Sequence, residues 1–449
     1  MRASLLLCAA ILASCAAPGP LAPGAASSLE IPARFDATPA PVPQVADSLL
    51  GLFNDSRMRR AVNQALSNNP DLKGSLARME EAGFNTRKTA SELYPALDGN
   101  ASAGRSRLPS VGESSDFRLS LDARWELDVW GRIRAGVTAS TADQAAAAAD
   151  YASARQSLAA QSMQSWFDLV AAEKRLALGN RRVTSFEDTN RLVARRFELG
   201  TASLADLELT RTDLENARAD IEQLKDNRDR AARTLNLLTG AYPDAGISAS
   251  SWPSLNRSVP SGVPSDLLLK RPDVDAAYQR LRAADSRVKV AHADLFPSFP
   301  LTGSVGNSSS LLSNLANSSF DTWSVVAGLS APIFDAGLRQ AELGAAGKRA
   351  EQALAAWQST VLSAFKEVED ALGSERLLLQ QEKSRLQALD AARSAETRTR
   401  RDYEAGISDL LSLFEAQRRV FSTEDDTINL HAARLQNRVA LALALGKGV

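Results

Sequence analysis

Apolar positions along this chain follow two periods in turn, and each period recurs once. Phe117, Leu119, Leu121, Ala123, Trp125, Leu127 and Val129 are apolar, with Arg118, Ser120, Asp122, Arg124, Glu126 and Asp128 between them. Successive side chains of a strand point to opposite faces, so strict alternation predicts a strand with one apolar and one charged face. Trp323, Val325, Ala327, Leu329 and Ile333 repeat it. Shorter strands are expected ahead of each, over Leu97 to Ala103 and Phe299 to Val305. Polar segments, Gly104–Asp116 and Gly306–Asp321, would join each hairpin.

The other period is helical. No proline falls between Val111 and Tyr242, or between Ile333 and Val449. These spans are rich in Ala, Leu, Arg, Glu and Gln, the residues that long helices need. Helices are predicted over Arg132 to Leu199 and Leu338 to Ala405, each about 100 Å long at a rise of about 1.5 Å per residue. Gly200 and Gly406 then turn the chain, and a return helix follows each. Shorter helices are expected from about Arg59 to Leu93 ahead of Pro95, and from Val274 to Leu295 ahead of Pro297. Helices this long suit antiparallel coiled coils better than compact domains. Their faces carry Ala, Ser and Gln rather than regular Leu, which favours close packing or a wetted surface.

The two blocks repeat each other. Asn69-Pro70-Asp71-Leu72 returns as Arg271-Pro272-Asp273-Val274, and Leu93-Tyr94-Pro95 as Leu295-Phe296-Pro297, both 202 residues on. Arg196-Phe197-Glu198-Leu199-Gly200 matches Asp402-Tyr403-Glu404-Ala405-Gly406, and Leu238-Thr239-Gly240 matches Ala444-Leu445-Gly446, both 206 residues on. Landmarks in register over so long a span indicate duplication of one helix–strand–strand–helix–helix unit. The copies are assigned to 51–248 and 265–449, with a linker at 249–264. Seven of the 18 prolines fall between Cys15 and Gln44, so 15–50 reads as an extended strap.

Composition narrows the function. Lys and Arg number 52 against 53 Asp and Glu, which removes the electrostatic case for nucleic acid. The two histidines, His292 and His431, lie in no ligand cluster, so no metal centre is expected. The two cysteines are Cys8 and Cys15, so nothing beyond position 15 can form a disulfide, and thiol catalysis by the main body is excluded. Met1-Arg2 followed by an apolar run to Ser14 is too short to span a bilayer and reads as a signal peptide, 1–14. Leu12-Ala13-Ser14-Cys15 resembles a bacterial lipobox, which makes Cys15 the lipidated N-terminus; the alternative is a chance cysteine in a secretory leader. No later stretch approaches 18 unbroken apolar residues.

The alternating strands allow two readings, half of an ordinary sandwich sheet or part of a membrane barrel. One chain offers only four such strands, whereas membrane barrels begin at about eight. Strands that span a membrane here would have to share one barrel with other chains.

Several motifs sit in this frame: Trp125-Glu126-Leu127-Asp128-Val129-Trp130-Gly131-Arg132, Leu267-Leu268-Leu269-Lys270-Arg271-Pro272-Asp273-Val274, Asp294-Leu295-Phe296-Pro297, and Tyr403-Glu404-Ala405-Gly406 with Leu413-Phe414-Glu415-Ala416-Gln417-Arg418. In order, spacing and duplication they resemble the TolC-like outer-membrane efflux factors, specifically the lipidated subgroup serving tripartite RND pumps. The resemblance implies an α+β membrane protein: a homotrimer forming a 12-stranded outer-membrane β-barrel, continued by a long periplasmic α-helical barrel. It implies a periplasmic adaptor and an inner-membrane RND transporter as partners, outer-membrane lipid around the barrel, and no cofactor beyond the lipid on Cys15. Ala16 after the cysteine favours delivery to the outer membrane. The turns at Gly200, Thr201, Gly406 and Ile407 become the adaptor-contacting tip. By position, Asp206 and Ser412, then Leu209 and Glu415, fall where the family has its periplasmic constriction. Glu415 stands where Asp is common, and Ser412 where some members carry a second acid; a solvated helix surface is the other reading of these acids. An exit duct for drugs or other small molecules is the function implied. Type I protein secretion and a non-conducting periplasmic lipoprotein are the alternatives, and no catalytic set supports an enzyme.

Overall fold

The computed structural model describes Phe35 and residues 48–109, 112–255 and 270–448. Cys15, the leader, most of the strap and Leu267-Leu268-Leu269 lie outside the described residues. Two compact units emerge, and each draws on both copies of the repeat.

The first unit, built from 77–150 and 273–360, contains the sheet. Its strands are β2 (Ala96–Leu108), β3 (Gly112–Glu126), β5 (Pro300–Ser309) and β6 (Asp321–Ala327), antiparallel in the order β2-β3-β5-β6. Gly99, Leu121, Val305 and Trp323 form one row across it, and Asp98, Asp122, Ser304 and Ser324 the next. The two rows point to opposite faces, so the predicted segregation holds across four strands.

The expected strand limits need correction. Gly104–Asp116 is not a connector: the β2–β3 ladder runs on through it to Leu108↔Gly112. Backbone pairing does not require amphipathic alternation, and Arg105–Glu113 at 2.6 Å and Ser106–Ser114 at 3.1 Å reinforce the polar stretch. Likewise β5 continues to Ser309, into the segment expected to be a loop. At the other end β3 stops at Glu126, short of Val129, because Asp128 turns to cap the next helix. Its carboxylate accepts the N–H groups of Ile133 and Arg134 at 3.0 and 2.9 Å. β6 ends at Ala327, leaving Leu329 and Ile333 beyond the strand.

The second unit, built from 48–76, 151–255, 270–272 and 361–448 with Phe35, is mainly helical. It takes the long helices α3 (Arg132–Glu198) and α6 (Leu338–Glu404) from residues 151 and 361 onward, and all of the return helices α4 (Leu204–Leu238) and α7 (Leu410–Ala444). Phe53, Met58, Met163, Phe167, Leu169 and Leu235 fill its main core, with Ala159, Ala160, Ala232, Ala371 and Ala442 between them. Small side chains let backbones approach: a Cβ on Gly179 would lie 2.5 Å from Leu224 Cδ1. A short ladder pairs β1 (Phe53–Asn54) with β4 (Ser254–Leu255) inside the expected linker.

The helix expected from Arg59 to Leu93 is two: α1 (Ser56–Asn68) and α2 (Pro70–Ser91). Asn69, with ψ at 126°, separates them. Proline disfavours helical backbone in the residue before it, and that local effect overrides the continuous pattern. Asn69 then serves both sides, accepting from Leu72 N–H at 3.0 Å and donating to Leu238 O at 3.0 Å. The second copy repeats this clasp ahead of α5 (Pro272–Ala293): Arg271 donates to Ala444 O at 3.1 Å and to Glu367 at 2.6 Å. Gly240 and Gly446 have positive φ at the ends of α4 and α7. A Cβ there would meet Asn68 O at 2.8 Å and Lys270 O at 2.7 Å. The duplication thus extends to individual backbone contacts.

Candidate functional site

The helix turns form first from glycine. Gly200 and Gly406 adopt φ of 72° and 74°, where only glycine avoids strain. Thr201 N–H reaches back to Arg196 O and Ile407 N–H to Asp402 O, both at 2.8 Å, closing each long helix with its orphan carbonyls satisfied. Behind the turns Val193, Tyr403, Leu410, Leu413 and Phe414 pack into a small core. Arg196 links the two hairpins: its guanidinium lies 4.8 Å over the Tyr403 ring and donates to Tyr403 O at 2.7 Å. Burial pushes the Tyr403 hydroxyl pKa up, and the Arg196 charge opposes it in part. Leu199, Leu204, Ile407 and Leu411 are each more than half exposed around this end.

The expected constriction residues sit just beyond. Asp206 is half-buried and completes a capping box with Ser203: Ser203 Oγ accepts from Asp206 N–H at 3.1 Å, and Asp206 Oδ2 accepts from Ser203 N–H at 3.1 Å. In the second copy the same two side-chain types have exchanged places. Asp409 is the N-cap, and its carboxylate accepts Ser412 N–H at 2.7 Å. Hydrogen bonds from the Ser412 side chain and backbone hold the Asp409 carboxyl below the usual carboxylate range. The acid missing at Ser412 is therefore present three residues earlier. Sequence reasoning missed Asp409, although an aspartate just after a glycine turn is a standard N-cap signal. Ser412 and Glu415 are both exposed on α7, and Glu415 meets Arg418 at 3.3 Å. Leu209 is also exposed. The acids at this end thus have separate partners, Asp206 with Ser203, Asp409 with Ser412 and Glu415 with Arg418.

Further along α7, three consecutive acids tie it to both long helices. Glu424 accepts from Arg181 on α3 and from Arg393 on α6, the latter at 3.0 Å. Asp425 meets Arg175 of α3 at 3.1 Å, and Asp426 meets Arg385 of α6 at 3.4 Å. Burial raises the Glu424 pKa, but the two arginines outweigh it and leave the group lowered. Beyond them Glu382 holds both His431 and Arg434, with Trp252 4.9 Å from the imidazole. His292 lies in the other unit, edge-on to Phe296. Among the described residues no group of three or more His, Cys, Asp or Glu is placed to hold a metal.

The sheet presents the other surface of interest. Leu97, Leu119, Leu121, Val305, Trp323 and Val325 are all at least half exposed on one face. Among the described residues no helix is long and apolar enough to cross a membrane.

Comparison with known proteins places these features. The sequence pattern described as outer membrane efflux protein matches residues 61–241 and again 263–447. Cation efflux system protein CusC of Escherichia coli is 30% identical over 403 residues, covering 88% of this chain and 87% of CusC. The probable outer membrane lipoprotein SilC of Salmonella typhimurium is 28% identical over 450 residues, 94% of this chain and 96% of SilC. The solved outer-membrane channel OprN superposes with a TM-score of 0.88 at 29% identity, over 97% of this chain and 99% of that one.

Proposed function

Because this chain belongs to the outer membrane efflux protein family, we propose that it works as a homotrimer, its three sheets closing one twelve-stranded barrel. The protein is an outer-membrane channel of a Gram-negative bacterium, the exit duct of an efflux pump. The observation that carries the trimer is the sheet itself. Among the described residues β2 and β6 are its edges, each paired on one side only. Unpaired edges do not occur in lipid, and a sheet of four strands is below the smallest membrane barrel of about eight. Pairing β2 of one copy with β6 of the next removes every edge. Native mass spectrometry in mild detergent tests this: a trimer is expected, and a monomer would overturn the barrel.

A duct works by being open, so this reading needs no catalytic group and no cofactor. The exposed Leu199, Leu204, Ile407 and Leu411 around the Gly200 and Gly406 turns supply an apolar landing for a periplasmic adaptor, which would join the duct to an inner-membrane RND transporter. Three copies of Asp206, Asp409 and Glu415 near that end would ring the periplasmic opening with carboxylates and favour cations. The cargo is small molecules; the name of CusC, a cation efflux protein, brings cations within that class. Lipid on Cys15 is supported by the Leu-Ala-Ser-Cys motif and by the likeness to SilC. Labelled palmitate should enter the wild type and not Cys15→Ala.

A further inference from the structure

We propose that the first β-hairpin alone sets the ion preference of the barrel, through a ring made by Asp98 and Asp122. The inference rests on the trimeric barrel above. The apolar face of the sheet must meet lipid, so the face carrying Asp98 and Asp122 meets the aqueous lumen.

Register makes the two hairpins unequal there. Asp98 stands directly opposite Asp122, and the row continues through Ser304 to Ser324. The second hairpin thus contributes two hydroxyls and no charge at this level. One row towards the helices, Ala96, Arg124, Thr302 and Val326 carry a single charge; one row away, Asn100, Ser120, Gly306 and Thr322 carry none. Carried round three copies, the Asp98–Asp122 row holds six carboxylates separated only by serines, beside a row of three arginines.

Neutralisation within the sheet is incomplete. Arg124 approaches Asp98 only to 4.0 Å. Asp122 is held by neutral donors, Asn100 Nδ2 at 2.6 Å and Ser120 Oγ at 3.1 Å, with the Ser304 hydroxyl beside them and the Arg118 charge acting on it without forming an ion pair. Glu126, by contrast, is paired with Arg132 at 2.8 Å. Like charges directly opposite on an antiparallel pair destabilise it, and no cation in the sheet lies closer to this pair. The adjoining row, away from the helices, is also kept low on its lumen side. A Cβ on Gly306 would fall 2.0 Å from Leu119 O, so that position admits no side chain to overhang its neighbours. The consequence is a belt of potential that enriches mobile cations, with no ion held at a fixed point.

Screening supplies the test. The Debye length is about 30 Å at 0.01 M salt and about 3 Å at 1 M, so a ring at the barrel wall governs permeation only in dilute salt. Planar-bilayer recordings would compare the full-length wild type with Asp98→Asn/Asp122→Asn and with Ser324→Asp, all carrying Asp206→Asn, Asp409→Asn and Glu415→Gln to silence the acids near the Gly200 and Gly406 turns. At low salt the double asparagine variant should lower the cation-to-anion permeability ratio at least about threefold, since wall potentials reach several kT. Ser324→Asp should raise it, and at 1 M salt all should coincide. Pores of normal conductance whose reversal potentials match at low salt would overturn the ring and leave the barrel standing. Absence of any pore from the parent protein would overturn both. If the asparagine variant fails to insert, Ser324→Asp decides alone: an unmoved potential overturns the proposal.

Discussion

Glu424 should be the most consequential single acid of the helical unit. Its side chain is 14% exposed and accepts from two arginines on different helices, whereas those arginines, Arg181 and Arg393, are about half exposed. A hydrogen bond to a charged group contributes about 1.5–3 kcal/mol, and an exposed ion pair about 0–1 kcal/mol. Two bonds to half-solvated partners therefore suggest about 2 kcal/mol for Glu424→Ala, because the freed arginines recover water. Asp426 is 48% exposed and meets one arginine at 3.4 Å. Its loss in Asp426→Asn should cost no more than about 0.5 kcal/mol. Native-state hydrogen exchange of the trimer in detergent reads both locally. Peptides of α7 around residues 420–430 should exchange about thirtyfold faster in Glu424→Ala, and less than about threefold faster in Asp426→Asn. Combining Glu424→Ala with Arg393→Met should fall short of additivity, as residues in one network do. Equal, small effects from Glu424→Ala and Asp426→Asn would show that bridging two helices adds nothing, and the reasoning from burial and partner number would fail.

Other outcomes follow from the same contacts. Glu424 has its pKa lowered below the ordinary 4.5, so its tie contributes in full above that pH and is lost as pH falls through the folded value. Exchange in α7 measured from pH 6 downward should therefore show no loss from this group until below about pH 4.5; Glu424→Gln should remove that acid-dependent component. Gly446→Ala combines a positive φ with a Cβ 2.7 Å from Lys270 O, and it should lower the midpoint of thermal unfolding by several degrees, whereas Gly344→Ala, which meets nothing within 4 Å, should not. Arg196→Met removes the stacking on Tyr403 and the bond to its carbonyl, and faster exchange confined to the Gly200 and Gly406 turns is expected; protection equal to wild type would mean the small apolar core holds that end by itself.

Much of this architecture was legible in the residues because it depends on local rules. Long proline-free runs ended where glycine could take positive φ, and so Gly200 and Gly406 marked the ends of α3 and α6 to within a residue or two. Strict alternation located β3 and β6, since a strand facing lipid on one side must segregate its side chains. The same logic failed where alternation was not required: the ladder through Gly104–Asp116 rests on backbone pairing and polar cross-strand contacts. Asn69 was decided by its neighbour Pro70, a local signal masked by the longer helical pattern on both sides of it. Asp409 was equally local, but its counterpart in the first copy is Ser203, so repeat position pointed to Ser412 rather than to the N-cap.

The remaining features belong to tertiary structure alone. Glu424 and Arg181 are 243 residues apart, and nothing in either segment announces the other. The row that sets Asp98 against Asp122 and ends in Ser304 and Ser324 depends on register, and a one-residue slip would turn all of them to the opposite face. Sequence by itself determined which elements form and which faces they segregate, because propensity, proline and glycine act within a few residues. Which charges stand together was decided only when distant segments folded against each other, within a copy as well as between copies, because ion pairs and strand register follow from distances in space that chain order does not encode.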